Sequence, residues 1–429
     1  MGIAAASGAR EAHAGGFGIP EVGVRRTAMG AVIGRPDDPS AIYHNPAGMI
    51  LEHGWTVYAS CGLSLLNTEF ELAPWEDSDQ ILGAHAQSDG YYSPVRPTRA
   101  YGVIPMVAIT GEIIPDRLVV GVSAFVGNAT GAAFADDAVT RYHLIDGYVV
   151  APQAVAAASF RLTRTLSIGG SAGVMNIRVH GERLIYPFFN GSNISALIGN
   201  DSKLVLDGSG WAPTWMLSLF GQPHPRVTWG ATLTGRVDAT LNGPIALTYG
   251  KDSPTPGLVL NGLQRTDQLL PWAFMAGANV DITPKLELGG EGRYWLYRQY
   301  QEQQTHVVGI FFVSELDTPK DYHDSWEFSG GARLHDFLDA VPDLEVMAGM
   351  QYDHSPAPTS TETLDQPSFS HFGLHSGVRY SFGRWRVGAS YLHYWYRIPT
   401  ITNSVTDPPS DIRGSGGNNI MTLSVEAKL

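Results

Sequence analysis

The chain reads as an all-β protein, about fourteen antiparallel strands closed into a transmembrane barrel around a plug made from its own amino-terminal segment. Three observations predict this. Segments of alternating apolar and polar residues recur from Trp55 to Leu429; the connections between them are short and long by turns; and the stretch before Trp55 carries no period at all. Alternation at every second residue marks a strand with two unlike faces. Regular exchange of tight and long connections is the signature of an up-and-down barrel with both termini at one end.

The plug comes first along the chain. Residues 1–14 end in the small-x-small triplet Ala12-His13-Ala14, which looks like a signal-peptidase site but has no apolar stretch ahead of it. We read 1–14 as the remnant of a leader, 15–52 as the plug, or hatch, and 53–429 as the barrel. Pro36, Pro39 and Pro46 remove donors and fix φ, while Gly30, Gly34 and Gly48 allow turns closed to other residues. Such a segment suits a compact, irregular wad whose backbone groups need polar partners. A lumen lined by Arg, Glu, Ser and Thr supplies them, and Asp37, Asp38 and Asn45 are expected to pair with inward arginines such as Arg236, Arg293 or Arg379.

The strands follow near 55–66, 99–111, 116–127, 148–162, 165–180, 204–220, 225–241, 270–282, 285–299, 324–335, 344–354, 370–382, 384–396 and 418–429. In 225–241, Val227, Trp229, Ala231, Leu233 and Val237 oppose Arg226, Thr228, Thr232, Thr234 and Arg236. In 370–382, Phe372, Leu374, Val378, Tyr380 and Phe382 oppose Gly373, His375, Gly377, Arg379 and Ser381. The long connections are 67–98, 128–147, 181–203, 242–269, 300–323, 355–369 and 397–417. Many strands exceed the five or six residues usual in soluble sheets, enough to cross an apolar belt about 25 Å tall. Aromatic residues gather toward strand ends, at Tyr294, Trp295, Tyr297, Trp326, Phe328, Trp385, Tyr394, Trp395 and Tyr396, as in an interfacial girdle.

Composition narrows the function. Charged residues make up 16% of 429, hydrophobic ones 44%, and Gly numbers 49. No apolar run reaches the roughly 18 residues of a membrane helix. The net charge of −13, with lysine confined to Lys203, Lys251, Lys285, Lys320 and Lys428, excludes nucleic acid as a partner. Cys61 stands alone, so there is no internal disulfide.

Several stretches, in order, resemble the FadL family of outer-membrane channels for hydrophobic compounds. They are "GGFGIPEVGVRRTAMGAVIGRPDDPSAIYHNPAGM" with its Asn45-Pro46-Ala47 element, "LVVGVSAFVGNATGAAF" followed by Arg141 and Tyr142, "WGATLTGRVDATLNG", "TPKLELGGEGRYWLY", "LEVMAGMQYDHSPAP" and "HSGVRYSFGRWRVGASYLHYWY". The resemblance implies passive uptake of long-chain fatty acids or aromatic hydrocarbons across the outer membrane of a Gram-negative bacterium. Ligand first lodges among the outer loops, then enters a pocket closed from below by the hatch residues Asp37, Asp38, Asn45, Pro46, Ala47 and Gly48. Phe17, Ile19, Val119 and Phe125 are the expected lining, with Arg161 a carboxylate partner. A kink in the third strand, at Gly121, Ser123 and Gly127, would open a side exit. Expected partners are the hydrophobic ligand, membrane lipid and lipopolysaccharide, with the chain a monomer; no cofactor and no metal are expected.

Enzymatic signatures are weak. "GGSAG" at 169–173 matches a nucleophile pattern, but Ser171 continues in a strand where an elbow needs a strand-to-helix turn. His371 and His375 have helical ligand spacing, yet on a strand rising about 3.3 Å per residue they stand about 13 Å apart. A hydrophilic porin and an outer-membrane lipid-modifying enzyme remain the alternatives; large ohmic conductance would favour the first, and a working Ser/His set at one rim the second.

Overall fold

The computed structural model describes residues 18–185, 201–253, 255–311 and 313–429. Residues 1–14 and Phe17 therefore lie outside the described residues. Fourteen antiparallel strands close into a barrel. They are β1 (Trp55–Leu72), β2 (Tyr101–Ile114), β3 (Leu118–Ala133), β4 (Asp146–Arg161), β5 (Leu166–Ile185) and β6 (Ser202–His224). Next come β7 in two segments (Val227–Thr234 and Val237–Thr248), β8 in two (Val259–Leu270 and Ala273–Thr283), and β9 (Leu286–Trp295), prolonged by Thr305–Val308. β10 (Ser325–Leu334), β11 (Leu344–His354), β12 (His371–Phe382), β13 (Trp385–Tyr396) and β14 (Ile412–Lys428) complete the sheet. β1 pairs with β14 from Thr56↔Lys428 to Leu72↔Ile412, which seals the cylinder.

The pleat sorts residues as a membrane barrel requires. On β12, Phe372, Leu374, Val378, Tyr380 and Phe382 are exposed while His375 and Arg379 are buried. On β14, Leu423 is 66% exposed and Glu426 3%, so the apolar side faces outward and the charge inward. The same pleat splits the aromatic set. Trp385, Trp395, Phe328 and Tyr294 face outward, whereas Trp295, Tyr297, Tyr394 and Tyr396 are buried in the lumen, which removes them from the girdle.

Two expectations change in β7 and β8. Strand pairing continues to Thr248 and resumes at Val259, so most of 242–269 is wall and not loop. Alternation also inverts at the break: Thr228 and Thr232 are buried below it, Val237, Ala239 and Leu241 above it. The interruption at Gly235 and Arg236 shifts the pleat, so Arg236 points outward, pairing with Asp238 (2.6 Å) and not with the hatch.

The lumen is filled from Gly18 onward. α1 (Val24–Met29) starts after Gly23 and ends on left-handed Gly30, whose N–H returns to the Arg26 carbonyl; α2 (Ala41–His44) leads into a 3₁₀ turn at Pro46–Leu51. Helices this short are marginal alone. Packing holds them: α1 lies against β10–β14 and the 3₁₀ turn against β3–β6, so the segment bridges opposite walls. Glycines on the wall make the close approach possible. A Cβ at Gly349 would stand 2.1 Å from the Met29 carbonyl oxygen, and one at its neighbour Gly331 2.2 Å.

Candidate functional site

Two buried ionic clusters fasten the hatch. In the first, Arg26 donates to Glu327 (2.5 Å), Glu291 (3.1 Å), Gln351 (3.0 Å) and Ser329 (2.9 Å). Glu291 also accepts from the backbone N–H of Val32 (2.6 Å) and Ile33 (2.9 Å) and from Arg293 (2.8 Å). In the second, Asp37 accepts from Arg25 (3.0 Å), Arg333 (2.7 Å) and Arg379 (2.9 Å). Burial works against its charge, but the three guanidinium groups override it and hold the Asp37 carboxyl well below the usual carboxylate range. Asp38 pairs with Arg379 at 3.4 Å. Asn45 finds no arginine; its amide donates to the carbonyls of Ile33 (2.9 Å) and Leu219 (3.1 Å), because the turn sets it against β6. Ala47 is clasped by Ser218 (2.8 Å) and Ser159 (2.7 Å), and Gly48 lies against Pro36.

Between hatch and wall lies a cavity of about 100 Å³. Its lining is largely apolar, with Ile19, Ile42, Phe125, Met175, Trp215 and Trp295 among it; Tyr43, His44, Gln153 and Arg293 are among its polar members. Burial pushes the His44 imidazole down to about 3, so it is neutral there. Of the expected lining, Ile19 and Phe125 meet in this cavity. Val119 does not; it lies six residues below Phe125 on β3, buried in the cluster that holds Ile42, Met49 and Ile50 of the hatch. Arg161 is also misplaced by the sequence reading. It ends β4 near the lower turn, 3.4 Å from the Ile50 carbonyl, too far down the wall to reach a ligand head. Ser171 sits in the cavity wall in mid-strand, paired with Ala157 and Met216.

The wall beside this cavity is irregular. The β2–β3 ladder ends at Met106↔Phe125, although β2 goes on pairing with β1 as far as Tyr101. The β3–β4 register slips between Val126 and Ala129. The kink therefore falls at Gly127 and Asn128; Gly121 and Ser123 lie in an unbroken ladder, where Gly121 makes room for the Ile42 side chain. The hatch seals the slip. The Ile19 N–H donates to the Gly127 carbonyl (2.9 Å), Tyr43 donates to the Ile19 carbonyl (2.8 Å), and its ring meets Phe125 edge-on at 5.0 Å.

A second cavity lies above, toward the long loops, lined by His143, Val149, Leu204, Leu206, Arg183, Thr318 and Asp365 among others. Arg183 makes no ion pair or hydrogen bond among the described residues. Burial draws His143 down to about 4. Sequence reading missed both residues; of the lower-cavity tryptophans it assigned Trp295 to the girdle and did not single out Trp215, in the middle of β6. Just before β10, Asp324 accepts from Arg298 and Tyr294.

The sequence profile of a family described as outer membrane protein transport protein (OMPP1/FadL/TodX) matches residues 5–416. The fold is similar to a Pseudomonas aeruginosa FadL homologue (TM-score 0.81, 15% identity, 96% of this chain and 99% of that one). It is also similar to the Pseudomonas putida toluene transporter TodX (TM-score 0.69, 14% identity, 98% and 99%) and the Ralstonia pickettii toluene transporter TbuX (0.67, 15%, 96% and 99%). No curated protein matches the sequence.

Proposed function

Because the chain belongs to the outer membrane protein transport family (OMPP1/FadL/TodX), we propose that it is a passive channel for hydrophobic compounds, gated by its hatch. The observation that carries this is the apolar cavity closed on one side by Ile19, Ile42 and Tyr43 of the hatch and on the other by the kink of β3. A long-chain or aromatic hydrophobe gains about 0.8 kcal/mol per CH₂ on leaving water, and a lining with few polar groups keeps that gain. Release follows when the Ile19–Gly127 and Tyr43–Ile19 bonds part and the unpaired stretch of β3 opens sideways. An apolar hollow on the lipid face, bordered by Val107, Val122 and Ala154, lies just outside, and Val155 borders both spaces.

The upper cavity supports a reading of the cargo class. Arg183 lies in the field of Asp365 and Asp407 but, among the described residues, has no carboxylate within bonding distance, which favours a hydrophobe with an anionic head, a long-chain fatty acid, over a bare hydrocarbon.

Proteoliposome uptake of a labelled fatty acid tests both statements. Tyr43→Phe is expected to speed release several-fold, and Arg183→Gln to slow the acid while leaving toluene unaffected. Large ohmic conductance in a planar bilayer would show an aqueous pore instead and refute the reading.

A further inference from the structure

The wall is broken a second time, on the other side of the same cavity. β6 pairs with the lower segment of β7 up to Met216↔Thr234 and with the upper segment only from Ser209↔Asn242 onward. The register moves by one residue across the interval. β7 and β8 are interrupted at the same height, between Thr234↔Ala273 and Val237↔Leu270. Prolines account for part of this, since Pro213 and Pro271 have no N–H to give to a ladder. Gly235 accounts for more: a Cβ there would lie 2.3 Å from the Trp215 ring, so the position admits no side chain while Trp215 keeps its place.

This break communicates with the cavity. Trp215, Gly235, Val237, Leu270 and Pro271 all border it. From outside it is covered by two indoles, Trp215 and Trp272, in edge-to-face contact at 5.4 Å. Trp215 thus touches the interior space and also forms the cover. The level is defined by the neighbours. Below lie the outward apolar residues Leu217 and Phe274; above lie Arg236, Asp238, Arg265 and Asp267, charged groups that belong in the polar headgroup zone. Tryptophan at that boundary is at home in an interface.

We propose that the β6–β7–β8 break is a lateral portal, shuttered by Trp215 and Trp272, through which hydrophobic molecules dissolved in the outer leaflet reach the cavity. The inference rests on the uptake function proposed above and adds an entrance to it. A molecule that has partitioned into the leaflet already holds its transfer free energy; a side entrance spares it a return to water. The indole pair suits this role because two flat rings in edge contact separate by side-chain rotation alone, while the Gly235 N–H keeps its bond to the Trp215 carbonyl (3.1 Å).

The test uses the full chain in liposomes whose outer leaflet is preloaded with a pyrene-labelled fatty acid, compared with the same probe offered from albumin in water. Trp215→Ala and Trp272→Ala are each expected to raise transfer from the leaflet at least threefold. In a Cys61→Ser background, Trp215→Cys should react with a lipid-soluble maleimide, and the bulky adduct should reduce leaflet uptake below that of the unlabelled protein. Retained resistance to unfolding by detergent on a gel confirms that each variant is a folded barrel. If Tyr43→Phe accelerates release while both tryptophan variants leave leaflet transfer unchanged, the portal is refuted and the channel stands. If no variant, nor the unaltered protein, moves the probe, the uptake function itself fails.

Discussion

Arg26→Met is the most informative perturbation of the hatch. Arg26 is fully buried and donates to Glu291, Glu327, Gln351, Ser329 and the Gly30 carbonyl. Glu291 survives its loss, because Arg293 and two backbone N–H groups still hold it. Glu327 does not. Its remaining cation is Arg293 at 3.8 Å, and its second oxygen has no hydrogen-bond partner. Stranding one member of a buried ion pair costs about 3–5 kcal/mol, which at 1.4 kcal/mol per decade multiplies the undocked hatch population by roughly two to three and a half orders of magnitude. The assay is amide exchange across residues 18–51 in reconstituted protein, with single-channel recording alongside. The second substitution makes the test specific: Arg26→Met with Glu327→Gln removes both charges and should restore most of the protection, since a buried pair replaced as a unit is nearly neutral. Unchanged exchange in the single variant, or a double variant as open as the single one, would refute the claim that this pair fastens the plug.

Further outcomes follow from other contacts. Burial, with Glu426 and Asp38 nearby, pushes the Glu52 carboxyl up to about 8. An unfolded glutamate titrates near about 4.3, so the penalty for ionising Glu52 is absent below that pH, grows above it and is complete beyond about pH 8. After correction for base-catalysed intrinsic exchange, protection of the hatch–barrel junction is expected to be lower at pH 9 than at pH 6, and Glu52→Gln should flatten that difference. Gly349→Leu drives a side chain into the Met29 carbonyl, 2.1 Å from the Cβ position, and should unseat α1, seen as protease cleavage within 18–51. Met216→Trp fills part of the cavity that Met216 lines and should cut hydrophobe uptake at least fivefold with hatch exchange unaltered.

Most of the architecture could be read before any coordinates because a barrel in lipid has one dominant constraint, that every second side chain meets hydrocarbon. β12 obeys it along its length and β14 from Ile420 to Glu426, and Arg379 was identifiable as an inward partner of Asp37 because its strand neighbours Val378 and Tyr380 are apolar. The upper parts of β7 and β8 were not legible, since above the lipid both faces are polar and Asn242, Gly243 and Pro244 imitate a loop. The inverted pleat at Gly235 misdirected Arg236 for the same reason: alternation is a local signal and carries no memory across an inserted residue. The partners of Arg26 come from β9, β10 and β11, hundreds of positions away, where periodicity identifies the inward face but not the contact. Arg161 was misjudged through depth, which a strand pattern does not fix.

The seam between β1 and β14 bears on how such a molecule is made. The segment synthesised before the strands ends up enclosed, and the cylinder around it is completed only by the pairing of Thr56 through Leu72 with Ile412 through Lys428. Stopper and staves must therefore be gathered before the last hoop is drawn tight. A premature closure would leave residues 18–51 stranded outside an empty ring, with the glycine-lined footholds shaped for Met29 unfilled.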